Sequence, residues 1–461
     1  MTTVMSFQRD PWMHGDAAGR QLLGLPSPHS DGCNAWYEML PLPPASTVLL
    51  GEQRADWVVL GAGLAGLAAA RRLAELHPQS SIALVEASRV GFGTAGRNSG
   101  FMIDLPHDLR SHSYTGDCQV DRDQIRLNRV AIDWLRQIVR KHDIACDWQE
   151  RGKLHGAAEP QGLADLEDFA RGLDALGEPY TALDGRDMAR ITGSPFYCGG
   201  LHAPGCVLVQ PAALVRGLGA SLPENVRLFE ESPIQTLEIG SPHRLITRQG
   251  ALTTPRLILA TNAYASRLPG LGLSGRMLPI YTFASMTRPL DAGEATRLGG
   301  DPCWGLVPAD PMGTTVRRLG NGRICIRNSF RYRPSLKADA AVLRRVREIH
   351  QRSFQRRFPM LDGVEMTHTW GGALCLSRNG GAPFGELAPG LYSALCQNGL
   401  GLTRGTLAGK SIAELASGVD SDVLALLLKQ PRPCRNPPEP WLGLGVRSTL
   451  AWKEWQAGIE R

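Results

Sequence analysis

Short apolar runs bounded by glycine or polar residues alternate along the chain with longer runs of helical period, a pattern typical of α/β proteins. The first clear pair is "DWVVLGAGLAGLAAARRLAEL", residues 56–76. Its apolar start predicts a buried strand, and Leu64, Leu67, Ala68 and Leu73 fall on one face of the helix that follows. The stretch therefore predicts a strand, a glycine turn and a helix in direct succession.

The same two periods recur further along the chain. Helical spacing is found in "QIRLNRVAIDWLRQIVRKH", "LADLEDFARGLDAL" and "LVQPAALVRGLGASL", and short strands are predicted in "VRLFE", "PIQTLEI", "HRLITRQG" and "PRLILATNAY". We expect the last of these strands to rejoin the first sheet. Near the end, "GLYSALCQNGLGLTRGTLAGKSIAEL" again predicts a strand, a glycine turn and a helix.

This order of elements predicts a Rossmann-like cofactor-binding domain assembled from discontinuous segments, with an inserted α+β domain of sheet and helices. The Pro-rich stretch "LPLPPAS" argues against regular structure near the start. The predicted divisions are an N-terminal arm at 1–54, a cofactor-binding domain at 55–110, 200–265 and 366–430, a substrate domain at 111–199 and 266–365, and a C-terminal tail at 431–461.

Three glycines in the first turn have the spacing of a dinucleotide-binding motif. Gly61 permits a tight turn, Gly63 lets a pyrophosphate approach the backbone, and Gly66 lets helix and strand pack closely. The next strand pattern, "SIALVEAS", ends at Glu86, a carboxylate suited to the ribose hydroxyls of an unphosphorylated adenosine. The same glycine spacing in "GLGLSG" has no helix after it and is interpreted as a loop.

Bulk composition sets the class of protein. The 461 residues are 43% hydrophobic, contain no run of about 18 apolar residues, and begin without the apolar core of a signal peptide. The ten cysteines form no C-x-x-C pair, which favours reduced thiols over metal or disulfide frameworks. We therefore expect a globular cytoplasmic protein with no membrane span and no metal, in which His107 and His112 are solvated loop side chains rather than ligands.

The charge is modest overall but concentrated in one region. The net charge is +6, and no basic tract is interleaved with aromatic residues, so nucleic acid is not indicated as a partner. Between Arg317 and Arg357, however, 13 Lys and Arg stand against two acids, Asp339 and Glu348. This density fits a solvated helix face and, as an alternative, steering of an anionic substrate.

A glycine-rich segment, "SRVGFGTAGRNSGF", follows Glu86 and is too long for an ordinary strand-to-helix connection. Together with the dinucleotide motif, "LILATNAY", "TWGG" and "NGLGLTRGTLAG", it resembles the D-amino-acid-oxidase type of FAD-dependent oxidoreductases, which includes glycine, sarcosine and γ-glutamylputrescine oxidases. The resemblance extends from Ala55 to about Val423. It implies bound FAD and a small-molecule amine or amino acid as substrate. We expect the FAD to be held noncovalently; the alternative is covalent attachment through Cys375, which lies in a strand where some relatives tether the flavin through a cysteine.

The resemblance also implies a set of cofactor-binding residues. It assigns the pyrophosphate to the first turn, the ribose to Glu86, adenine to the backbone at Ile234, and the flavin side to the glycine-rich segment and the last glycine turn. The full set is Gly61, Ala62, Gly63, Leu64, Ala65, Gly66, Glu86, Ala87, Ser88, Arg89, Gly93, Arg97, Asn98, Ser99, Gly100, Ile234, Ala260, Gly399, Gly401, Leu402 and Thr403.

The inserted domain is expected to select the substrate, through Tyr281, Arg327, Arg331 and Tyr332. Sarcosine-oxidase-like relatives carry a lysine for the substrate carboxylate where this chain has Thr403, which bears no charge. This departure favours an amine, or an amino acid whose carboxylate lies away from the reacting nitrogen. Arginines that alternate along a strand are also consistent with a solvated face.

The reaction implied by the resemblance is hydride transfer from the carbon beside an amine to the flavin, giving an imine that water hydrolyses. Only one convincing dinucleotide motif is present, so the electrons should come from the substrate. Oxygen or an electron carrier such as a quinone then reoxidises the flavin. Oxidation of a hydroxy acid, or a flavoprotein subunit without catalysis, remains open because the fold does not fix the substrate.

Overall fold

The computed structural model describes residues 32, 34–107, 111, 114–268 and 270–461, together with the backbone of residues 20–23. The predicted position of His112 lies outside the described residues. The predicted fold class is confirmed: a parallel sheet with helices is joined to a second domain of sheet and helices.

The cofactor-binding domain is centred on a six-stranded sheet with the spatial order β10-β4-β3-β14-β21-β20. Its strands are β3 (Trp57–Leu60), β4 (Ile82–Val85), β10 (Val226–Phe229), β14 (Leu257–Leu259), β20 (Phe384–Ala388) and β21 (Leu391–Ala394). All neighbours are parallel except β20 and β21. β14 pairs with β3, so "LILATNAY" does return to the sheet that the first motif begins.

Both faces of this sheet are buried, which explains the continuous apolar strands of its sequence. One face packs against helices: α2 (Leu64–Leu76), α3 (Cys118–Lys141), α6 (Pro211–Ala220), α9 (Thr406–Ala416) and α10 (Asp422–Lys429). The other face packs against a five-stranded sheet, in spatial order β1 (Arg20–Leu23), β11 (Thr236–Ile239), β12 (His243–Ile246), β13 (Gly250–Thr254) and β2 (Gly51–Arg54).

The second domain is built on an eight-stranded sheet with the order β19-β15-β18-β17-β16-β6-β8-β7. Its strands are β6 (Lys153–Ala157), β7 (Thr181–Asp184), β8 (Gly199–Ala203), β15 (Leu278–Thr287), β16 (Trp304–Pro308), β17 (Thr315–Arg318), β18 (Ile324–Tyr332) and β19 (Met366–Leu376). The associated helices are α4 (Pro160–Leu176), α5 (Gly185–Thr192), α7 (Ala292–Leu298), α8 (Ala340–Arg357) and α11 (Trp441–Gln456).

The remaining elements connect the two domains. They are α1 (Ala35–Glu38) and a two-stranded sheet of β5 (Phe101–Met102) and β9 (Val207–Leu208). The predicted boundary at residue 366 falls at the start of β19, which pairs with β15 in the eight-stranded sheet. Residues 34–54 contribute to the core: Trp36 is fully buried, and the guanidinium carbon of Arg317 lies 5.4 Å from its ring centroid.

The C-terminal segment packs against the second domain. Glu454 of α11 accepts hydrogen bonds from the Phe330 backbone N–H and from Arg331 of β18. Within the described part of the chain, no helix is both long and apolar enough to cross a bilayer.

Candidate functional site

An elongated cavity lies between the six-stranded sheet and the eight-stranded sheet. It is lined by the β3–α2 turn, the end of β4, the glycine-rich segment, the chain after β14, strands β15 and β19, and the turn before α9. Most predicted site residues line it: Gly61, Ala62, Gly63, Leu64, Ala65, Glu86, Ala87, Arg89, Gly93, Arg97, Asn98, Ser99, Ile234, Ala260, Gly399, Gly401, Leu402 and Arg327.

The turn between β3 and α2 presents main chain to the cavity. Gly61 has a φ of +102°, and its N–H donates to the Val85 carbonyl at 2.7 Å. A Cβ on Gly66 would overlap the Gly61 carbonyl oxygen, so Gly66 sets the approach of helix to strand without lining the cavity. No side chain caps the first turn of α2, which leaves its N–H groups able to bind an anion.

Glu86 is held in place by the same turn. Its Oε2 accepts the Ala62 N–H at 2.9 Å and its Oε1 accepts the Ser88 N–H at 3.0 Å. Burial raises the pKa of Glu86, while these hydrogen bonds lower it in part. Each oxygen keeps a free lone pair, so the carboxylate can accept ribose hydroxyls. Ser88 lies behind Glu86, where it orients the carboxylate without lining the cavity.

Arg97 and Asn98 line the cavity while holding their own segment. Arg97 donates from Nε to the Phe92 carbonyl at 2.7 Å, and its carbonyl accepts from Trp370 Nε1 at 3.0 Å. Asn98 donates to the Ala95 carbonyl at 2.6 Å and accepts the Gly100 N–H at 2.8 Å. These bonds fix the shape of the segment, so its backbone is presented to the cavity in one conformation.

Arg317, which the sequence analysis did not single out, anchors the end of this segment. The side chain is 1% exposed, and its Nη1 donates to the Ser99 carbonyl at 3.1 Å and contacts the Val209 carbonyl. Gly100 has a φ of +77° beside this guanidinium and does not line the cavity. One buried side chain of β17 thus connects the eight-stranded sheet to the end of the glycine-rich segment.

Thr403 lies behind the last glycine turn and not on the cavity wall. Gly399, Gly401 and Leu402 line the cavity, whereas Thr403 is 1% exposed and buried under them. Its neighbour Arg404 is bound to Gln124 of α3. Because the side chain at position 403 does not reach the cavity, having threonine there in place of a lysine does not directly change how a ligand binds in this cavity.

The opposite end of the cavity carries an uncompensated positive charge. Arg327 of β18 lines the wall, with its guanidinium carbon 4.6 Å from the centroid of Phe330, and it has no carboxylate partner among the described residues. Burial lowers the pKa of Arg327 to about 10, so the side chain remains protonated at neutral pH. An arginine without a partner in a cavity wall is suited to binding a carboxylate.

His107 and Tyr114 form an aromatic pair near this arginine. Their ring centroids are 4.7 Å apart, both line the cavity, and the Tyr114 hydroxyl donates to the Pro308 carbonyl at 2.8 Å. Burial, with Lys153 and Arg327 adding to it, holds the pKa of His107 well below its usual range. The expectation that His107 is a solvated loop side chain is wrong, because it packs on Tyr114.

The other three predicted substrate residues lie away from the cavity. Tyr281 is 1% exposed in the core beneath β15. Arg331 donates to Glu454 Oε1 at 2.7 Å, and the Tyr332 hydroxyl donates to Glu439 Oε1 at 2.7 Å, so both side chains are bound to the C-terminal segment.

An irregularity in β18 explains why Arg327 and Arg331 differ. The pairing of β15 with β18 slips between Tyr281 and Phe283, and Ser329 has a φ of +62°. A bulge of this kind inserts a residue and changes which face the following side chains occupy. Regular alternation would have put Arg327 and Arg331, four residues apart, on the same face.

The cofactor expected from the sequence requires open main chain at the glycine turns. A Cβ on Gly63 would meet nothing closer than Ala95 at 3.9 Å, and a Cβ on Gly93 or Gly401 would meet nothing within 4 Å. The backbone at these positions is open on the cavity side, while Glu86 and the uncapped α2 N-terminus supply a hydroxyl acceptor and an anion site. These residues fit the dinucleotide portion of FAD.

Comparison with known proteins agrees with the family resemblance found in the sequence. The family model described as FAD dependent oxidoreductase (DAO) matches residues 56–415. The probable oxidoreductase OrdL of Haemophilus influenzae is 27% identical over 388 residues, covering 80% of this chain and 84% of that protein. The gamma-glutamylputrescine oxidoreductase of Escherichia coli is 27% identical over 377 residues, covering 79% and 84%.

Among solved structures, glycine oxidase from Geobacillus kaustophilus superposes with a TM-score of 0.64 at 19% identity. The superposition covers 84% of this chain and 100% of that chain. It shows that the two chains share a fold.

Proposed function

Since the chain belongs to the DAO family of FAD dependent oxidoreductases, with FAD as its cofactor, we propose that it oxidises a carbon–nitrogen bond of an amine or amino acid. The relatives named above support this class, since one is named for gamma-glutamylputrescine. The observation that carries the proposal is the lining of this one cavity. It combines the glycine turns and Glu86, which fit a dinucleotide, with Arg327 and His107, which suit a carboxylated donor.

In this proposal the β3–α2 turn binds the pyrophosphate, Glu86 the ribose and Ile234 the adenine, while Gly399, Gly401 and Leu402 approach the flavin. Ser88, Gly66 and Gly100 support these contacts from behind. Cys375 also lines the cavity, but a hydrogen bond with Cys396 and burial raise the pKa of its thiol well above the usual range. A neutral thiol is a poor nucleophile, which supports noncovalent FAD.

The substrate end binds and orients the donor. Arg327 would hold a carboxylate of the donor, and the uncharged His107 would accept a hydrogen bond from the donor nitrogen and so orient it. The ammonium proton would pass to solvent water, because an imidazole with so low a pKa is too weak a base to take it. Bound FAD supplies the acceptor for the hydride of the adjacent C–H bond. The nitrogen lone pair then forms the C=N bond, and water hydrolyses this imine to a carbonyl compound and an amine.

We propose oxygen as the final acceptor, with hydrogen peroxide as product, in a cytoplasmic protein. The alternative is a dehydrogenase that passes electrons to a quinone or another carrier. A hydroxy acid is the alternative donor, because a carboxylate anchored by Arg327 would suit it equally. A flavoprotein subunit without catalysis is the remaining alternative.

Anaerobic mixing of the FAD-loaded protein with a panel of donors tests the proposal. The panel should hold γ-glutamylated amines, N-substituted amino acids, sarcosine, glycine and hydroxy acids, with flavin absorbance as the readout. Bleaching by carboxylated amines, followed by recovery of colour and peroxide when oxygen is admitted, is expected. Bleaching by hydroxy acids alone, or by none of the donors, would overturn it. Slow recovery in oxygen but fast recovery with a quinone identifies a dehydrogenase.

A further inference from the structure

The outer face of α11 exposes three tryptophans in one stripe. Trp441, Trp452 and Trp455 are 68%, 53% and 78% exposed, and Leu444 on the same face is 54% exposed. Leu444 follows Trp441 by three residues, Trp452 follows Leu444 by eight, and Trp455 follows Trp452 by three. At 3.6 residues per turn, these spacings place all four side chains on one side of the helix. Large side chains exposed together in this way mark an interaction surface.

The stripe is held in a fixed orientation by the inner face of α11. Leu442, Val446 and Leu450 pack on a core cluster around Phe330 and Tyr332. Glu454 accepts the Phe330 N–H at 3.2 Å and pairs with Arg461 at 3.0 Å. Because the opposite side of α11 is tied to β18, the tryptophans cannot turn inward without breaking these contacts.

A groove lined by arginines lies beside the stripe, between α8 and α11. Arg345, Arg352 and Arg356 are exposed along one face of α8 and border the groove together with Trp455. Within the described part of the chain, none of the three pairs with a carboxylate. Three of the 13 basic residues between Arg317 and Arg357 therefore lie on one face of α8, where they are available to an anionic surface.

We propose that this face, the α11 tryptophan stripe with the α8 arginines, binds the surface of a bilayer that contains anionic phospholipid. Tryptophan is favoured at the boundary between headgroups and acyl chains. Arginines close to an anionic surface add electrostatic attraction to it. The tryptophan stripe meets the arginines at Trp455, so the apolar and the electrostatic parts of interfacial binding adjoin there.

A second copy of this chain is the main competing occupant, and the charge distribution disfavours it. A twofold interface brings the same patch of both subunits together. Each patch carries three arginines without a carboxylate partner among the described residues, so joining the two patches would bring like charges close together, where they repel. An anionic bilayer neutralises them instead.

Vesicle sedimentation of the full-length, FAD-loaded protein tests the proposal. We expect binding to vesicles of phosphatidylcholine with added phosphatidylglycerol, weak binding to phosphatidylcholine alone, and release by salt. The double variant Trp452→Ser/Trp455→Ser should bind roughly tenfold more weakly while its FAD content and its reduction by donors stay unchanged. Brominated lipid should quench tryptophan fluorescence in the wild type and much less in this variant.

The arginines are tested with a charge-matched control. Arg345→Gln/Arg352→Gln/Arg356→Gln should abolish the preference for phosphatidylglycerol, whereas Arg151→Gln/Arg186→Gln/Arg248→Gln, which changes three exposed arginines elsewhere, should keep it. Equal losses in both triple variants would show a nonspecific charge effect and overturn the proposal. So would a wild type that ignores these vesicles, or a tryptophan variant that converts a dimer to a monomer in gel filtration.

Discussion

The two ends of the cavity are built differently. The dinucleotide end is mostly main chain from short contiguous segments, with Glu86 bonded to N–H groups at positions 62 and 88. The substrate end is made of side chains from distant parts of the chain, with His107 and Tyr114 set beside Arg327 of β18. A site made of contiguous main chain leaves a sequence motif, whereas a site made of distant side chains depends on how strands pair.

The largest effect is expected from Gly66→Ala, compared with Gly63→Ala. A Cβ at residue 66 overlaps the Gly61 carbonyl, so the backbone must move at a cost of about 3 kcal/mol or more. A Cβ at residue 63 would meet no protein atom closer than Ala95 Cβ, at 3.9 Å, and would disturb only a ligand. Chemical unfolding of the apoprotein and FAD titration should separate a folding defect from a binding defect. Equal stability of the two apoproteins would contradict this division of roles.

Glu86→Ala tests the dinucleotide end next. Loss of a charged acceptor for the ribose hydroxyls should weaken FAD binding by about 1.5 to 3 kcal/mol, roughly 10-fold to 150-fold. Fluorescence titration with FAD measures the change, and Glu230→Ala, a neighbouring carboxylate that accepts the Val90 N–H, serves as the comparison. Unchanged affinity in Glu86→Ala would remove the ribose assignment.

Comparing Arg327→Met with Arg331→Met tests which of the two arginines contacts the substrate. Only Arg327 lines the cavity, so its loss should raise KM for a carboxylated donor about tenfold, about 1.4 kcal/mol, with FAD content intact. Arg331 is paired with Glu454, so its loss should leave KM unchanged and lower thermal stability instead. A larger effect on KM from Arg331 would show that the bulge in β18 does not divide the two roles as described.

The pH dependence of stability provides the last test. Burial raises the pKa of Glu460 to about 7, and its Oε1 accepts the Ala158 N–H at 2.6 Å beside β6 of the substrate domain. A carboxyl whose pKa is raised on folding stabilises the folded state at low pH, and this contribution is lost as pH rises from about 4.5 to 7. Glu460→Gln should remove a slope of at most about 1.4 kcal/mol per pH unit, measured by urea unfolding. An unchanged slope would count against a buried carboxyl at this position.

The sequence predicted the main elements of the cofactor-binding domain because their signals are local: an apolar strand, a glycine turn and a helix of period 3.6. It placed Gly61, Gly63 and Glu86 beside one another because a βαβ unit fixes their separation. The bulge at Ser329 has no comparable signal, so Arg331 and Tyr332 were assigned to the substrate instead of the C-terminal segment. His107 and Arg317 were missed because their partners, Tyr114 and the Ser99 carbonyl, are set by tertiary packing.

The strand order of the six-stranded sheet also determines when it can form during synthesis. β3 and β4 leave the ribosome early, β14 follows after β6, β7 and β8 of the second domain, and β21 follows only after β15 to β19 have been made. Contacts of such high sequence separation slow folding, and the open edge of β3 is exposed to aggregation in the meantime. Because the cavity joins the β3–α2 turn to the chain around Gly401, FAD binds only after the late strands arrive. The supply of FAD in the cell is therefore expected to set the yield of folded protein. FAD binds the folded chain and not the unfolded one, so it shifts the folding equilibrium toward the folded state.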